Sequence, residues 1–219
     1  MKEITELKNK HSGEDIWLIA SGPSMNFVDN SFFENKITVG INRVNNFFKC
    51  DYVVAKDSRG FGLIDSSNTI QIVPEHNCGD PLQQKNNISE GYFFTHSEKT
   101  HRIAVAYRPS LDEINRESDK IVVSYSTITS GLHICAYLGA KNIIICGHDC
   151  GALNGKSSVD GYYKDIKPVQ RTDMQYRKWL KQIEGQTIAV RDKLKEQYKC
   201  NIYSLNPFIN FNLEGSIYT

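Results

Sequence analysis

The sequence lacks an excess of charge of either sign. It has 26 Lys and Arg against 25 Asp and Glu in 219 residues, a formal net charge of +1. A non-specific nucleic-acid binder needs a broad positive field, which this balance excludes. We therefore expect no nucleic-acid partner, and any anion-binding site has to be local.

Long hydrophobic runs are also missing. No apolar stretch reaches the ~18 residues needed to span a bilayer, and the polar residues 1–17 lack the apolar segment of a secretory signal. These absences predict a cytoplasmic protein without a transmembrane segment. A length of 219 residues suits a single domain, 1–219, whose core needs no disulfides.

Motifs for redox cofactors and metals are absent as well. The dinucleotide fingerprint GxGxxG does not occur, so neither a nicotinamide nor a flavin is indicated. Cys146, His148 and Cys150 alternate on one predicted strand face, which suggests zinc, but no fourth ligand follows at a suitable spacing. The six cysteines are scattered, and we expect reduced thiols packed in the core, with no metal.

What the sequence does contain is a series of short runs rich in Ile and Val. Continuous apolar runs are typical of parallel strands covered on both faces. Helical patterns lie between them, most clearly at 130–139 and 172–198, where Gly185 is expected to bend or break the second helix. This alternation predicts a Rossmann-like, doubly wound α/β fold with a mostly parallel sheet flanked by helices. The predicted strands are 15–21, 36–42, 51–57, 69–75, 120–124, 142–147 and 201–205.

Residues 76–118 fit this alternation less well. They are rich in Asn, Gln, Ser and Glu and contain two short candidate strands, 91–95 and 101–107. Long irregular segments in compact domains are often functional. We expect an insertion or lid here.

The turn after the first predicted strand is the first candidate ligand contact. Gly22 lets the backbone approach a ligand, Pro23 fixes φ, and Ser24 offers a hydroxyl and a helix N-cap. Together they suit a phosphate, although an ordinary strand-to-helix turn uses the same residues.

Three further turns fall at strand ends and should converge with the first, since ligands of this fold bind beyond the carboxyl ends of the strands. Asn42 could read a base or sugar edge or merely cap a helix at 43–48, and Arg43 could meet a phosphate. The segment Thr129, Ser130, Gly131 opens the helix 130–139, where free amides and the helix dipole favour an anion; its alternative is again a plain cap.

The fourth turn is Gly147–Asp149. Asp149 could accept from ribose hydroxyls or hold a metal, and His148 is a candidate proton acceptor near neutral pH. Further along, Tyr162 and Tyr163 lie in a polar loop, where they could clamp a phosphate or simply line the surface.

These motifs occur in a familiar order. Gly22–Ser24, Asn42, Thr129–Gly131, the run 136–149 and the late segment 202–207 together resemble the small bacterial sialyltransferases that use CMP-sialic acid. The resemblance extends to a wider group of motility accessory factor glycosyltransferases and hydroxymethylpterin diphosphokinase-like proteins, and it covers most of 16–207.

The resemblance implies a metal-independent transferase without a cofactor, in which Gly22–Ser24, Asn42 and Ser130–Gly131 contact the nucleotide donor. Those enzymes carry a general-base histidine shortly before a Thr-Asp pair that corresponds to Thr172 and Asp173; this chain has no histidine there. His148 is then the first candidate for the base, with His96 and His101 from the insertion as competitors.

The function predicted on these grounds is transfer of an acidic, sialic-acid-like sugar from a CMP-activated donor to a glycan or protein hydroxyl. One alternative is a diphosphokinase, which would need Mg²⁺ held by carboxylates such as Asp57 and Asp149. Another is a nucleotide-binding relative without turnover. The sequence leaves the oligomeric state open.

Overall fold

A computed structural model describes residues 2–56, 68–74, 91–94, 100–103, 106–108, 111–124, 126–164 and 173–205. Its centre is an eight-stranded sheet in which every neighbouring pair is parallel, in the order β1-β6-β5-β4-β3-β2-β9-β10. The predicted parallel α/β fold is confirmed. The strands are β1 Lys2–Glu3, β2 Asp15–Ile19, β3 Ile37–Ile41, β4 Tyr52–Val54, β5 Ile70–Pro74, β6 Tyr92–Phe94, β9 Asn142–Cys146 and β10 Asn201–Ser204; β7 Thr100–Ile103 and β8 Ala106–Arg108 form a separate antiparallel pair.

Two α-helices cover one face of the sheet. Helix α1, Thr127–Tyr137, is buried along its whole length because it lies between the sheet and helix α2, Asp173–Tyr198. Ser126 caps α1 by accepting from the amide of Ile128. The chain leaves α1 at Gly139, whose φ of +96° suits glycine. No helix in the described ranges is both long and apolar enough to cross a membrane.

Alternation along the central strands divides the core into two layers. Ile16 and Leu18 of β2 pack with α1 and α2, whereas Trp17 and Ile19 face the opposite layer. In the described part of the chain, that opposite layer contains the short 3₁₀ helices Pro23–Phe27, Asn30–Phe33 and Val44–Asn46, together with the segment 159–162.

Several predicted elements differ from the structure. Within the predicted strand 120–124, residues 121–124 are buried, but only residue 121 makes a bridge; the backbone of Val122 bonds to the His133 and Ser130 side chains of α1. Helix α1 begins at Thr127, three residues earlier than the predicted 130. Gly185 does not break α2, which is continuous. The expected helix at 43–48 is the short 3₁₀ helix Val44–Asn46.

Part of the predicted insertion belongs to the main sheet. β6 pairs with β5 on one side and with β1 on the other. The two-residue strand β1 has no counterpart among the predicted strands, because its residues Lys2 and Glu3 are both exposed and carry no apolar pattern. Residues 75–90, which include the start of the predicted insertion, lie outside the described part of the chain.

Candidate functional site

The strand order places a topological switch between β2 and β9. From β2 the chain moves outward through β3, β4, β5 and β6, and then returns to β9 on the other side of β2. In open parallel sheets, ligands bind in the crevice at such a point, beyond the carboxyl ends of the strands. The turns after β2 and β9 therefore define the candidate site.

Two glycines let these turns touch. The amide of Gly22 donates to the carbonyl of Gly147 at 2.7 Å, one step beyond the bond between Ala20 and Cys146. A Cβ on Gly22 would overlap that carbonyl and lie 2.6 Å from Asp149 Oδ2, so no larger residue fits without displacement. Gly147 has a φ of +69°, which favours glycine.

Asp149 fastens the turn after β2 from the turn after β9. Its Oδ2 accepts from the Ser24 amide and its Oδ1 from the Ser24 hydroxyl, each at 2.6 Å. Asp149 is only 2% exposed, and hydrogen bonds to a buried carboxylate are among the stronger ones. The carboxylate thereby supplies the cap of the 3₁₀ helix that Pro23 begins.

The donors of the predicted phosphate turn are consequently engaged within the protein. The Gly22 amide bonds to Gly147, Pro23 has no N–H, and the Ser24 amide and hydroxyl bond to Asp149. The predicted N-cap role of Ser24 is wrong, because Gly22 occupies the N-cap and makes no side-chain cap bond. Residues 22–24 therefore use these donors internally, and we take them as the floor of the candidate crevice.

A third segment, 158–162, is hydrogen-bonded to this turn and to the 3₁₀ helix that follows it. Val159 donates its amide to the carbonyl of Ser21 at 2.9 Å. Asn26 donates to the carbonyls of Pro23 and Ser158 and accepts from the amide of Asp160 at 2.8 Å. The sequence does not predict this role of Asn26. A single polar residue after a turn gives no indication of partners more than 130 positions away.

Asn42 and Arg43 follow β3, the strand next to β2. Asn42 adopts a left-handed backbone, φ +55°, and its amide donates to Val54 at 2.8 Å. The side chain of Arg43 turns into the layer opposite α1, where its guanidinium donates through Nη2 to the Tyr162 carbonyl and lies over the Tyr162 ring. The Tyr162 hydroxyl in turn bonds to Ser21, and burial raises the pKa of this phenol.

The two tyrosines predicted to clamp a phosphate lie in different environments. Tyr162 is buried between Arg43 and Phe47. Tyr163 is 44% exposed and packs edge-on against Tyr162. Only Tyr163 presents a substantial part of its side chain to solvent.

The residues expected at the start of α1 have their side chains satisfied inside the protein. Thr129 donates to the Ser126 carbonyl, and Ser130 donates to the Val122 carbonyl, both at 2.8 Å. Gly131 faces the sheet, where a Cβ would meet Ile41 at 2.5 Å. These residues bind α1 to its neighbours, while the amino end of α1, at Thr127, lies at the same sheet edge as the crevice.

His148 lies under α2. Its Nε2 is 3.1 Å from Thr187 Oγ1, whose own proton goes to the Ile183 carbonyl. Nε2 therefore donates, which leaves Nδ1 as the acceptor; Cys150 Sγ lies 3.8 Å from Nε2 and 4.0 Å from Nδ1. Burial lowers the pKa of His148 to about 4 and raises that of Cys150 to about 12.

The predicted alternation of Cys146, His148 and Cys150 on one face is wrong. Strand β9 ends at Cys146, whose side chain packs in the layer opposite α1, whereas His148 points toward Thr187 on the side of α2. Among the described residues, no group of three or more His, Cys, Asp and Glu side chains has the geometry to hold a metal ion.

No family model and no curated protein matches the chain. Solved structures of the sialyltransferase CstII do. One, with CMP and a trisaccharide acceptor, is 15% identical with a TM-score of 0.47, covering 91% of this chain and 83% of that one. Another, from Campylobacter jejuni with the substrate analogue CMP-3FNeuAc, is 15% identical with a TM-score of 0.48 and the same coverage. At this identity the likeness concerns the fold alone.

Proposed function

We propose that the chain is a glycosyltransferase that moves an acidic sugar from a CMP-activated donor to a hydroxyl of a glycan or protein. One observation carries the proposal: the turns after β2 and β9 meet at the topological switch through Ser24 and Asp149. These are the turns whose motifs, in this order along the sequence, resemble those of CMP-sialic acid sialyltransferases.

In this proposal the crevice holds the donor above residues 22–24, with Asn42 beside it at the end of β3. Departure of CMP leaves negative charge on the phosphate, and groups already oriented toward that charge lower the barrier. The amino end of α1 supplies a positive dipole at this edge of the sheet. The proposal requires no metal, because the positive end of the α1 dipole acts on the phosphate directly.

The attacking hydroxyl must lose a proton. The sequence favours His148 as the base, but its lowered pKa makes it a weak proton acceptor, and its position under α2 suits a packing role. The side chains of His96 and His101 lie outside the described residues.

Ligand-induced stabilisation tests the donor. A ligand that binds only the folded state raises Tm, so we expect CMP, but not UMP, GDP or ATP, to raise Tm without Mg²⁺. Release of CMP from a CMP-activated acidic sugar in the presence of acceptor glycans then tests turnover. Stabilisation by ATP and Mg²⁺ without any effect of CMP would favour the diphosphokinase instead, with Asp149 and Asp57 as candidates for the metal. CMP binding without turnover would indicate a non-catalytic relative.

A further inference from the structure

Arg43 is a buried cation that no acidic side chain among the described residues neutralises. The residue is 3% exposed, and its Nε has no hydrogen-bond partner among the residues that the structure describes. In the described part of the chain, no Asp or Glu forms a salt bridge with it. Within the described ranges its one hydrogen-bond acceptor is the Tyr162 carbonyl, reached by Nη2.

Such an arrangement is costly for the free protein. A buried ion loses several kcal/mol of solvation unless a partner offsets the loss. A buried lysine or histidine avoids this cost by losing its proton, but a guanidinium stays charged at any ordinary pH. One carbonyl and the face of a tyrosine ring compensate for only part of this charge, because the guanidinium carries five N–H donors.

The location of Arg43 indicates that a compensating anion would belong to a ligand in the candidate crevice. Arg43 follows β3 at the carboxyl edge of the sheet, and the ring beneath it belongs to Tyr162, whose hydroxyl bonds to Ser21. Ser21 directly precedes Gly22, and its carbonyl accepts a hydrogen bond from the Val159 amide. The guanidinium is therefore linked by two contacts to the floor of the crevice at the topological switch.

We propose that Arg43 is the anion-recognition residue of this crevice and pairs with an oxyanion of the bound ligand. Tyr162 holds the guanidinium in place through its ring and carbonyl, so that the unused N–H groups can form the two-pronged contact that arginine makes with phosphates and carboxylates. The proposal rests on the proposed function only in taking the 5′-phosphate of a nucleotide as that oxyanion.

The binding test uses the full chain in low-salt buffer, with inorganic phosphate, CMP and cytidine as probes. We expect phosphate and CMP, but not cytidine, to raise Tm. Arg43→Met should abolish the phosphate effect and weaken CMP binding at least about tenfold, since a charge-assisted, two-pronged contact is lost. Arg43→Lys, which keeps the charge but not the planar geometry, should give an intermediate loss. Arg177→Met is the matched control: Arg177 lies exposed on α2, and its removal should leave every ligand effect unchanged.

The ligand-free protein provides a second readout. Replacing a buried, unpaired charge with an apolar side chain of similar length removes a desolvation cost, so Arg43→Met should unfold without ligand at a Tm equal to or above that of the wild type. A lower Tm with the phosphate effect intact would overturn the proposal and make Arg43 a brace for the segment 158–162.

The carboxylate of the sugar is a second source of an oxyanion, and the probes distinguish it. If Arg43→Met leaves CMP binding unchanged, the phosphate assignment is overturned. Failure of the proposed function looks different: loss of the phosphate effect in Arg43→Met, with no sugar transfer by the wild type, would support the anion site and reject the transferase. Sugar transfer by Arg43→Met at the wild-type rate would support the transferase and reject Arg43 as the anion-recognition residue.

Discussion

Asp149 accepts two hydrogen bonds from one residue, Ser24, through a different carboxylate oxygen for each. The two residues are 125 positions apart and belong to the turns after β9 and β2. This pair joins the first turn of the 3₁₀ helix Pro23–Phe27 to the turn after β9.

Asp149→Asn tests this fastening. Asparagine replaces one of the two carboxylate oxygens with an NH₂ group. Either the amide or the hydroxyl of Ser24 then loses its acceptor and faces a second donor. We expect a loss of about 2–3 kcal/mol in the free energy of unfolding, measured by urea denaturation, and weaker CMP binding because the floor loosens. Asp160→Asn is the control, since the exposed Asp160 side chain forms a surface ion pair with Lys156 and the hydrogen bond to Asn26 comes from its backbone amide; it should change stability by less than about 0.5 kcal/mol. Equal effects of the two variants would contradict the structural role of Asp149.

Gly22→Ala and Gly185→Ala form a second matched pair. A Cβ on Gly22 would overlap the Gly147 carbonyl and crowd Asp149, whereas a Cβ on Gly185 has no neighbour within 4 Å. Overpacking costs about 1–3 kcal/mol, so Gly22→Ala should lower Tm. Gly185→Ala lies within continuous α2 and should raise stability by about 0.5–1 kcal/mol. A neutral Gly22→Ala would show that the two turns are not in close contact.

His148 should make stability depend on pH. Its pKa is lowered from 6.5 to about 4 in the folded protein, so the unfolded chain binds more protons between these values. The contribution is complete above pH 6.5 and is lost as the pH falls toward 4. From pH 7.5 to 5 this amounts to about 2 kcal/mol. His148→Gln keeps a donor for Thr187 but has no titrating group at this position. Between pH 7.5 and 5, its free energy of unfolding should therefore fall by about 2 kcal/mol less than that of the wild type. Parallel curves for the two proteins would contradict the lowered pKa.

Turnover of His148→Ala separates packing from catalysis. Because His148 is buried and bonds to Thr187, we expect the variant to lose stability while kcat, normalised to the folded fraction, stays within a few-fold of the wild-type value. A fall of kcat by ~10²–10⁴ with unchanged donor affinity would instead make His148 the general base. Alanine variants of His96 and His101, assayed alongside, test the competing bases from the predicted insertion.

Much of the fold could be read from the sequence because it depends on local patterns. The continuous apolar runs of β2, β3 and β9 predict buried parallel strands, and the helical spacing of 172–198 predicts α2. The run 120–124 shows the limit of this reasoning. Its composition is that of a strand, but its backbone bonds to His133 and Ser130 of α1 rather than to a neighbouring strand.

The sequence by itself also predicts a site at the turns after β2, β3 and β9, because glycine, proline and polar residues after a buried run indicate where each strand ends. Only the tertiary structure decided what these turns do. Whether Ser24 is open to a ligand depends on Asp149, far along the chain, and whether Arg43 has a counterion depends on every element packed around it. Hydrogen bonds and charges are satisfied by neighbours in space, which a local pattern does not contain, and the chemistry of this crevice therefore follows from the fold.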